Sequence, residues 1–136
     1  MRFLHAMGAT LERVAPGEVD VRLPFREDLT QQHGFFHAGA MTTAADTACG
    51  YAALTLMPPD AAVLSVEFKV NLLSPGKGDA IVARARVLKS GRTLTVVRAD
   101  VHAQERGEER LVATMLATMM AVRDREVIET CLGIIE

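Results

Sequence analysis

Apolar and polar positions alternate along most of this chain, and the alternation outlines a series of strands. VDVRLPF (19–25) sets Val19, Val21, Leu23 and Phe25 against polar neighbours, which predicts a half-buried strand. VLSVEFKVNLL (63–73) places Leu64, Val66, Phe68, Val70 and Leu72 on one face and Ser65, Glu67, Lys69 and Asn71 on the other. SPGKGD (74–79) is a turn, and AIVARARVL (80–88) and TLTVVRADVHAQ (93–104) are strands joined by KSGR, whose Ser-Gly reads as a hairpin turn. ERGEE (105–109) turns again into RLVATMLATMMAV (110–122), whose periodicity alone suits strand or helix. Its place at the end of a meander argues for strand. Residues 124–136 receive no assignment.

One segment breaks the alternation. Residues 38–56 carry Ala, Met, Thr and Leu without an interior proline, and Pro58-Pro59 stops the pattern, which predicts one helix of about five turns. A helix apolar on most sides must be covered on most sides. A curved sheet is the only other element large enough to cover it. The expected fold is therefore α+β: one domain over 1–136, with an antiparallel sheet of five to six strands wrapped around a long central helix. The outer edges of such a sheet favour pairing with a second copy.

Composition narrows the function classes. Hydrophobic residues are 49% and charged residues 24% of the 136, so a soluble globular domain is expected. The formal net charge is −2 and the 15 basic residues are scattered, which argues against nucleic acid as a partner. No apolar run approaches the roughly 18 residues of a membrane span, and charge interrupts the N-terminus too early for a signal peptide. A cytoplasmic protein is expected. Cys49 and Cys131 form neither a disulfide framework nor a metal-ligand spacing, so no metal is expected.

The stretch QQHGFFHAGAMTTAADTACGYAA (31–53) holds one carboxylate, Asp46, in a run otherwise suited to burial. An arbitrary helical Asp faces solvent. Here Thr42, Thr43, Cys49 and Gly50 lie at helical spacing from it, and no Lys or Arg stands within four residues to pair with it. Burying such a group alone costs several kcal/mol or raises its pKa, so a water-accessible crevice around Asp46 is expected. Just upstream, Gln31, Gln32, His33, His37 and Gly39 lead into the helix N-terminus, where free N–H groups and the dipole favour developing negative charge. A carbonyl oxygen docked there would be polarised as in an oxyanion hole. Asp46 nevertheless lies about 12 Å along the helix from Ala38, at roughly 1.5 Å per residue. If both act on one carbonyl, the helix start of one subunit pairs with Asp46 of another, and a C2 dimer supplies the site twice.

These residues resemble the hotdog-fold acyl-CoA thioesterases, in the branch of the phenylacetate-pathway (PaaI-like) and 4-hydroxybenzoyl-CoA thioesterases. That branch carries Asn or Gln, six residues later His-Gly-Gly, then Asp or Glu nine residues after the His, followed by Thr or Ser and Ala. Gln31, His37, Ala38-Gly39, Asp46 and Thr47-Ala48 fall on those positions. Starting instead from His33-Gly34, the acidic position would be Thr42, which lacks the chemistry. The resemblance extends weakly over about residues 8–122. It departs at Ala38, where the family has glycine; a backbone donor survives that change if the backbone angles suit a Cβ, and the methyl narrows the acyl pocket.

The resemblance implies hydrolysis of a small aromatic or medium-chain acyl-CoA to free acid and coenzyme A. Asp46 would be nucleophile or general base, and the N–H of Ala38, with Gly39, would hold the oxyanion. Gln31 would position water or the carbonyl, and His37 would shape the helix entry and bond the carbonyl, or simply cap the loop. Thr47 and Ser65 would bond the polar groups of the site, a role for which ordinary packing is the alternative. Lys89, Ser90, Gly91 and Arg92 form a cationic turn suited to coenzyme A phosphates, although such runs are commonly just solvated turns. No resident cofactor is implied, since coenzyme A belongs to the substrate; the family suggests a homodimer at least and a homotetramer as a dimer of dimers. A hotdog-fold hydratase or dehydratase acting on an enoyl or hydroxyacyl thioester is the alternative enzyme. An inactive acyl-CoA-binding oligomer is the alternative non-enzyme. A nucleotide-binding role lacks the phosphate-cradling glycine loop.

Overall fold

The computed structural model describes residues 2–123. One antiparallel sheet runs in the order β1-β2-β4-β5-β6-β3 and packs one face on a long helix. Its strands are β1 (Thr10–Ala15), β2 (Glu18–Pro24), β3 (Ala62–Leu72), β4 (Ala80–Ser90), β5 (Leu94–Glu105) and β6 (Glu108–Val122). The helices are α1 (Arg2–Met7) and α2 (Ala38–Leu54), with a single 3-10 turn at Glu27–Leu29. The expected α+β architecture is thus present, and each expected strand appears with its ends moved by at most two residues.

Three elements were not expected: α1, β1 and the 3-10 turn. β1 explains why. It is a sheet edge with no buried position, so its sequence, TLERVA, carries no apolar period to read. The long helix stops at Leu54 rather than continuing to 56, because the Thr55 hydroxyl turns back on Ala52 O at 2.6 Å and accepts the Gly17 N–H at 2.8 Å.

α2 buries a stripe of small side chains, Ala44, Ala45, Ala48, Cys49, Ala52 and Ala53, against sheet residues that are themselves small, among them Ala83, Ala85, Ala99 and Ala117. Small on small lets backbone approach backbone. The opposite side of α2, with Thr43, Asp46, Thr47 and Gly50, is only half-buried within one chain. The sheet therefore covers one stripe of the helix, not most of its circumference as its composition suggested.

β3 also differs from the plain alternation. A bulge between Ser65 and Glu67 shifts its register against β6, so Ser65 lies opposite buried Met119 while Phe68 lies opposite buried Ala117. Ser65 and Phe68 consequently share the helix-facing side, whereas Leu64, which the alternation put with Phe68, faces the other way opposite Met120. The far face of the sheet carries an ion network. Arg84 grips Glu109 through two nitrogens at 2.7 and 2.8 Å, and Arg86 bonds Asp20 at 2.8 Å.

Candidate active site

The segment 25–37 is held as a fixed shelf before α2. Phe36 N–H donates to Gly76 O at 2.8 Å, His37 N–H to Leu29 O at 2.8 Å, and Gln31 N–H to Phe35 O at 2.8 Å. The Phe25 and Phe36 rings meet edge to face, 5.7 Å apart. Gly76 is required for this approach, since a Cβ there would come 2.9 Å from both Met41 Sδ and Phe36 Cβ. The shelf and the end of β3 enclose a crevice of about 470 Å³ lined by Gln31, Phe36, Ala38, Met41, Leu72 and Leu73, among others.

His37 is the N-cap of α2: its Nδ1 accepts the Gly39 N–H at 2.8 Å. That bond commits Gly39, and Ala40 and Met41 donate to His37 O at 2.9 and 3.2 Å. Among the described residues the Ala38 N–H has no partner, and Ala38 lines the crevice. The expected pair of donors at Ala38 and Gly39 is therefore reduced to one open N–H. Gln31 reaches the same crevice; its Oε1 accepts the His33 N–H, and among the described residues its amide NH2 group has no partner.

Asp46 stands elsewhere, on the side of α2 facing β3. The Ser65 hydroxyl donates to Asp46 Oδ1 at 2.8 Å, and Ser65 Oγ also lies 3.4 Å from Met119 Sδ. The bulge in β3 aims Ser65 at the carboxylate, so Asp46 has a neutral hydrogen-bond donor from a distant strand rather than a cation from its own helix. One turn on, burial and then the Asp46 charge push the Cys49 thiol up to about 12, which keeps it protonated and unreactive. Thr47 is half-buried beside Asp46, and its hydroxyl bonds nothing among the described residues. Within one chain, then, the structure joins Asp46 to Ser65 and Gln31 to Ala38, and it leaves the two pairs apart, for Asp46 does not line the crevice at the helix start.

The cationic turn sits at the far end of the β4–β5 hairpin. Its Gly91 N–H is used, donating to Leu94 O at 2.8 Å, so the turn offers charge more than free amides. A cation that the local reading missed joins it: Arg123 Nη2 donates to Arg92 O at 2.8 Å, and both side chains border a hollow of about 360 Å³. Only the pairing of Ala121 with Thr93 across β5 and β6, 28 residues apart in number, brings Arg123 there. A second hollow of about 460 Å³ at the β5–β6 hairpin mixes Lys77, Arg106 and Arg110 with Glu105, Glu108 and Glu109, and holds none of the site residues expected from the sequence. Among the described residues, no three His, Cys, Asp or Glu side chains gather as metal ligands would.

Residues 33–109 match the Thioesterase superfamily, a span that includes His37, Ala38, Asp46, Ser65 and the 89–92 turn, with Gln31 just outside it. A thioesterase family protein of Silicibacter pomeroyi, known from its crystal structure, is 50% identical and superposes with a TM-score of 0.90, covering 91% of each chain. Human acyl-coenzyme A thioesterase 13 is 34% identical over 93 residues, 68% of this chain and 66% of its own length. The phenylacetic acid degradation protein PaaI of Thermus thermophilus, in the structure of a mutant, is 28% identical with a TM-score of 0.76, covering 88% of this chain and 98% of that one.

Proposed function

The chain belongs to the thioesterase superfamily and is a thioester hydrolase, and from that premise we propose that it cleaves an acyl-CoA to free acid and coenzyme A at a site shared by two copies of itself. One observation carries the reading. The Asp46–Ser65 pair sits at the start of edge strand β3, and the end of the same strand, at Leu72 and Leu73, walls the crevice that holds Gln31 and the open Ala38 N–H.

β3 is an edge built for pairing. Its exposed apolar residues Val66 (52%), Phe68 (43%) and Leu72 (52%) would be an aggregation hazard if left uncovered. β1, the opposite edge, is six residues long, bulged between Leu11 and Arg13 and charged at Glu12 and Arg13, all features that discourage pairing. If two β3 strands pair antiparallel about a two-fold axis, the start of each lies across from the end of the other. The Asp46–Ser65 pair of one copy then faces the Gln31–Ala38 crevice of the other, which removes the separation of about 12 Å along a single helix.

The chemistry follows from these parts. The thioester oxygen lies against the Ala38 N–H at the positive end of α2, which lowers the energy of the oxyanion as it forms. Asp46 attacks the carbonyl carbon, giving an acyl–aspartyl anhydride that water then hydrolyses to the free acid, or it takes a proton from the water that attacks the carbonyl directly. Ser65 holds one carboxylate oxygen and leaves the other to react. Gln31 orients the water or carbonyl through its free amide. The C–S bond breaks, coenzyme A leaves as the thiolate and is protonated, and no resident cofactor takes part. Phe36, Met41 and Leu72 favour a small aromatic or medium-chain acyl group, and Lys89, Arg92 and Arg123 favour the coenzyme A phosphates. A cytoplasmic setting is part of the same reading.

The test is thiol release from phenylacetyl-, benzoyl-, hexanoyl-, lauroyl- and crotonyl-CoA by wild type and Asp46→Asn. The variant should lose about 100-fold or more in kcat while its circular dichroism and mass in solution stay unchanged. Equal rates would remove Asp46 from the reaction; loss of crotonyl-CoA absorbance without thiol release would make the chain a hydratase instead.

A further inference from the structure

The first turn of α2 has a hollow on either side. Ala38 and Met41 border the Gln31 crevice; on the other side Met7 of α1, Leu29, His37, Ala40 and Thr43 border another hollow, of about 360 Å³. Successive helical residues point to different sides, so the two sets diverge although they share one turn. Gly39 also borders the second hollow and has no side chain, so α2 raises no ridge between Ala38 and that space. α1 is tied down as its wall. Arg26 donates through Nη1 to Ala6 O and through Nη2 to Asp28 Oδ2 at 2.6 Å, the Gly8 N–H donates to His5 O at 3.0 Å, and Met7 is only 5% exposed. The polar groups of the lining are spent on one another: Asp28 on Arg26, the Thr43 hydroxyl on Gly39 O at 2.8 Å, and His37 Nδ1 on the Gly39 N–H. What remains to meet an occupant is the apolar surface of Met7, Leu29 and Ala40. The volume is at the small end of the range of about 300–1,000 Å³ for ligand pockets.

We propose that this hollow takes the end of a medium-chain acyl group, so that Met7, Leu29 and Thr43 set the acyl length the protein accepts. The proposal rests on the start of α2 as the seat of the thioester. A thioester carbonyl held at the Ala38 N–H sends two arms away from its carbon in different directions. Arg123 follows Val122, which pairs with Ala62 at the start of β3, and Arg92 lies beside it. Pairing through β3 brings that end of one copy to the β3 end of the other, where Leu72 and Leu73 wall the crevice. The pantetheine arm therefore leaves through the crevice towards those cations, and the acyl arm leaves on the other side, past Gly39. An aromatic acyl group is short enough to stay at the helix start. The end of a longer unbranched chain is not, and the hollow is the apolar space open to it, where each buried methylene favours binding by about fourfold. An ionised group at the end of the chain finds no free counter-charge there, because Asp28 is held by Arg26.

The experiment is calorimetric binding of three non-hydrolysable thioethers, S-propyl-, S-hexyl- and S-decyl-CoA, to wild type, Thr43→Leu and Met7→Phe, with thiol release from benzoyl- and hexanoyl-CoA measured on each. Thr43→Leu fills the hollow from α2 and Met7→Phe fills it from α1, so a folding defect in one leaves the other to decide. Wild type should bind the hexyl thioether at least about tenfold more tightly than the propyl one. In each folded variant that gain should shrink to within about twofold, and the ratio of kcat/KM for hexanoyl- over benzoyl-CoA should fall about tenfold. A chain-length gain that is absent from wild type, or that survives in a folded variant, would overturn the proposal; so would an equal loss of affinity for all three thioethers. Thiol release from no substrate, with a chain-length gain that the variants abolish, would keep the hollow as an acyl site and remove hydrolysis instead.

Discussion

At the scale of single residues, His37 is structural first: it caps α2 beside the proposed site. Its Nδ1 is occupied by the Gly39 N–H, which places the imidazole proton on Nε2 and holds the first turn of α2, whose Ala38 lines the crevice. A Cβ on Gly39 would approach that nitrogen to 2.9 Å, so this glycine serves the cap by its lack of a side chain. On the proposed mechanism His37 is a positioning residue. Replacing it with Asn keeps an N-cap acceptor and should leave the melting temperature and kcat little changed. Replacing it with Ala should cost about 1 kcal/mol of stability and lower kcat with it. A large loss of kcat in His37→Asn at unchanged stability would instead give Nε2 a direct part in polarising the carbonyl.

At the scale of elements, the sheet is tied across its outer face by Arg84 of β4 and Glu109 of β6. The two hydrogen bonds from Arg84, with another from Gln104, hold the Glu109 carboxyl down at about 2, from an ordinary value of 4.5. A carboxyl lowered in the folded state adds stability above its unfolded value, and that stability is lost as pH falls through the folded value. The window here runs from about 4.5 down to about 2. Glu109 is more than a third exposed (36%), so solvent limits the pair to about 1 kcal/mol or less. Thermal unfolding should accordingly show Glu109→Gln slightly less stable than wild type at pH 7, with the gap closing across that window. A gap independent of pH would show that the pair contributes through packing and not charge. The bulge in β3 is the other element-scale device, since without it Ser65 would face away from Asp46.

For the whole molecule, the proposed shared site makes a prediction that no single-chain site makes. Gln31→Ala and Asp46→Asn damage different halves, so each variant alone should be nearly inactive. Mixed after dissociation and reassociation, a hybrid dimer contains one site with both defects and one with neither. Activity should therefore return, to about a quarter of wild type if the subunits exchange at random and each hybrid keeps one working site. Failure to recover activity, with hybrids confirmed by native mass spectrometry, would confine each site to one chain.

The sequence by itself determined the parts that depend on local periodicity and local stereochemistry. Alternation marked β2 to β6, the alanine-rich run and Pro58-Pro59 marked α2, and the spacing of Gln31, His37 and Asp46 carried the resemblance to the thioesterases. Tertiary structure decided what depends on register. It placed Ser65 on Asp46 through a bulge, put Arg123 beside Arg92 through the pairing of β5 with β6, and spent the Gly39 N–H on His37. It also showed β1, whose edge position leaves no pattern to read. The physical reason is common to all of these. Periodicity records which side of an element is buried, whereas a bulge or a strand partner is selected by the summed packing of residues far apart in the chain, and no short window of sequence contains that sum.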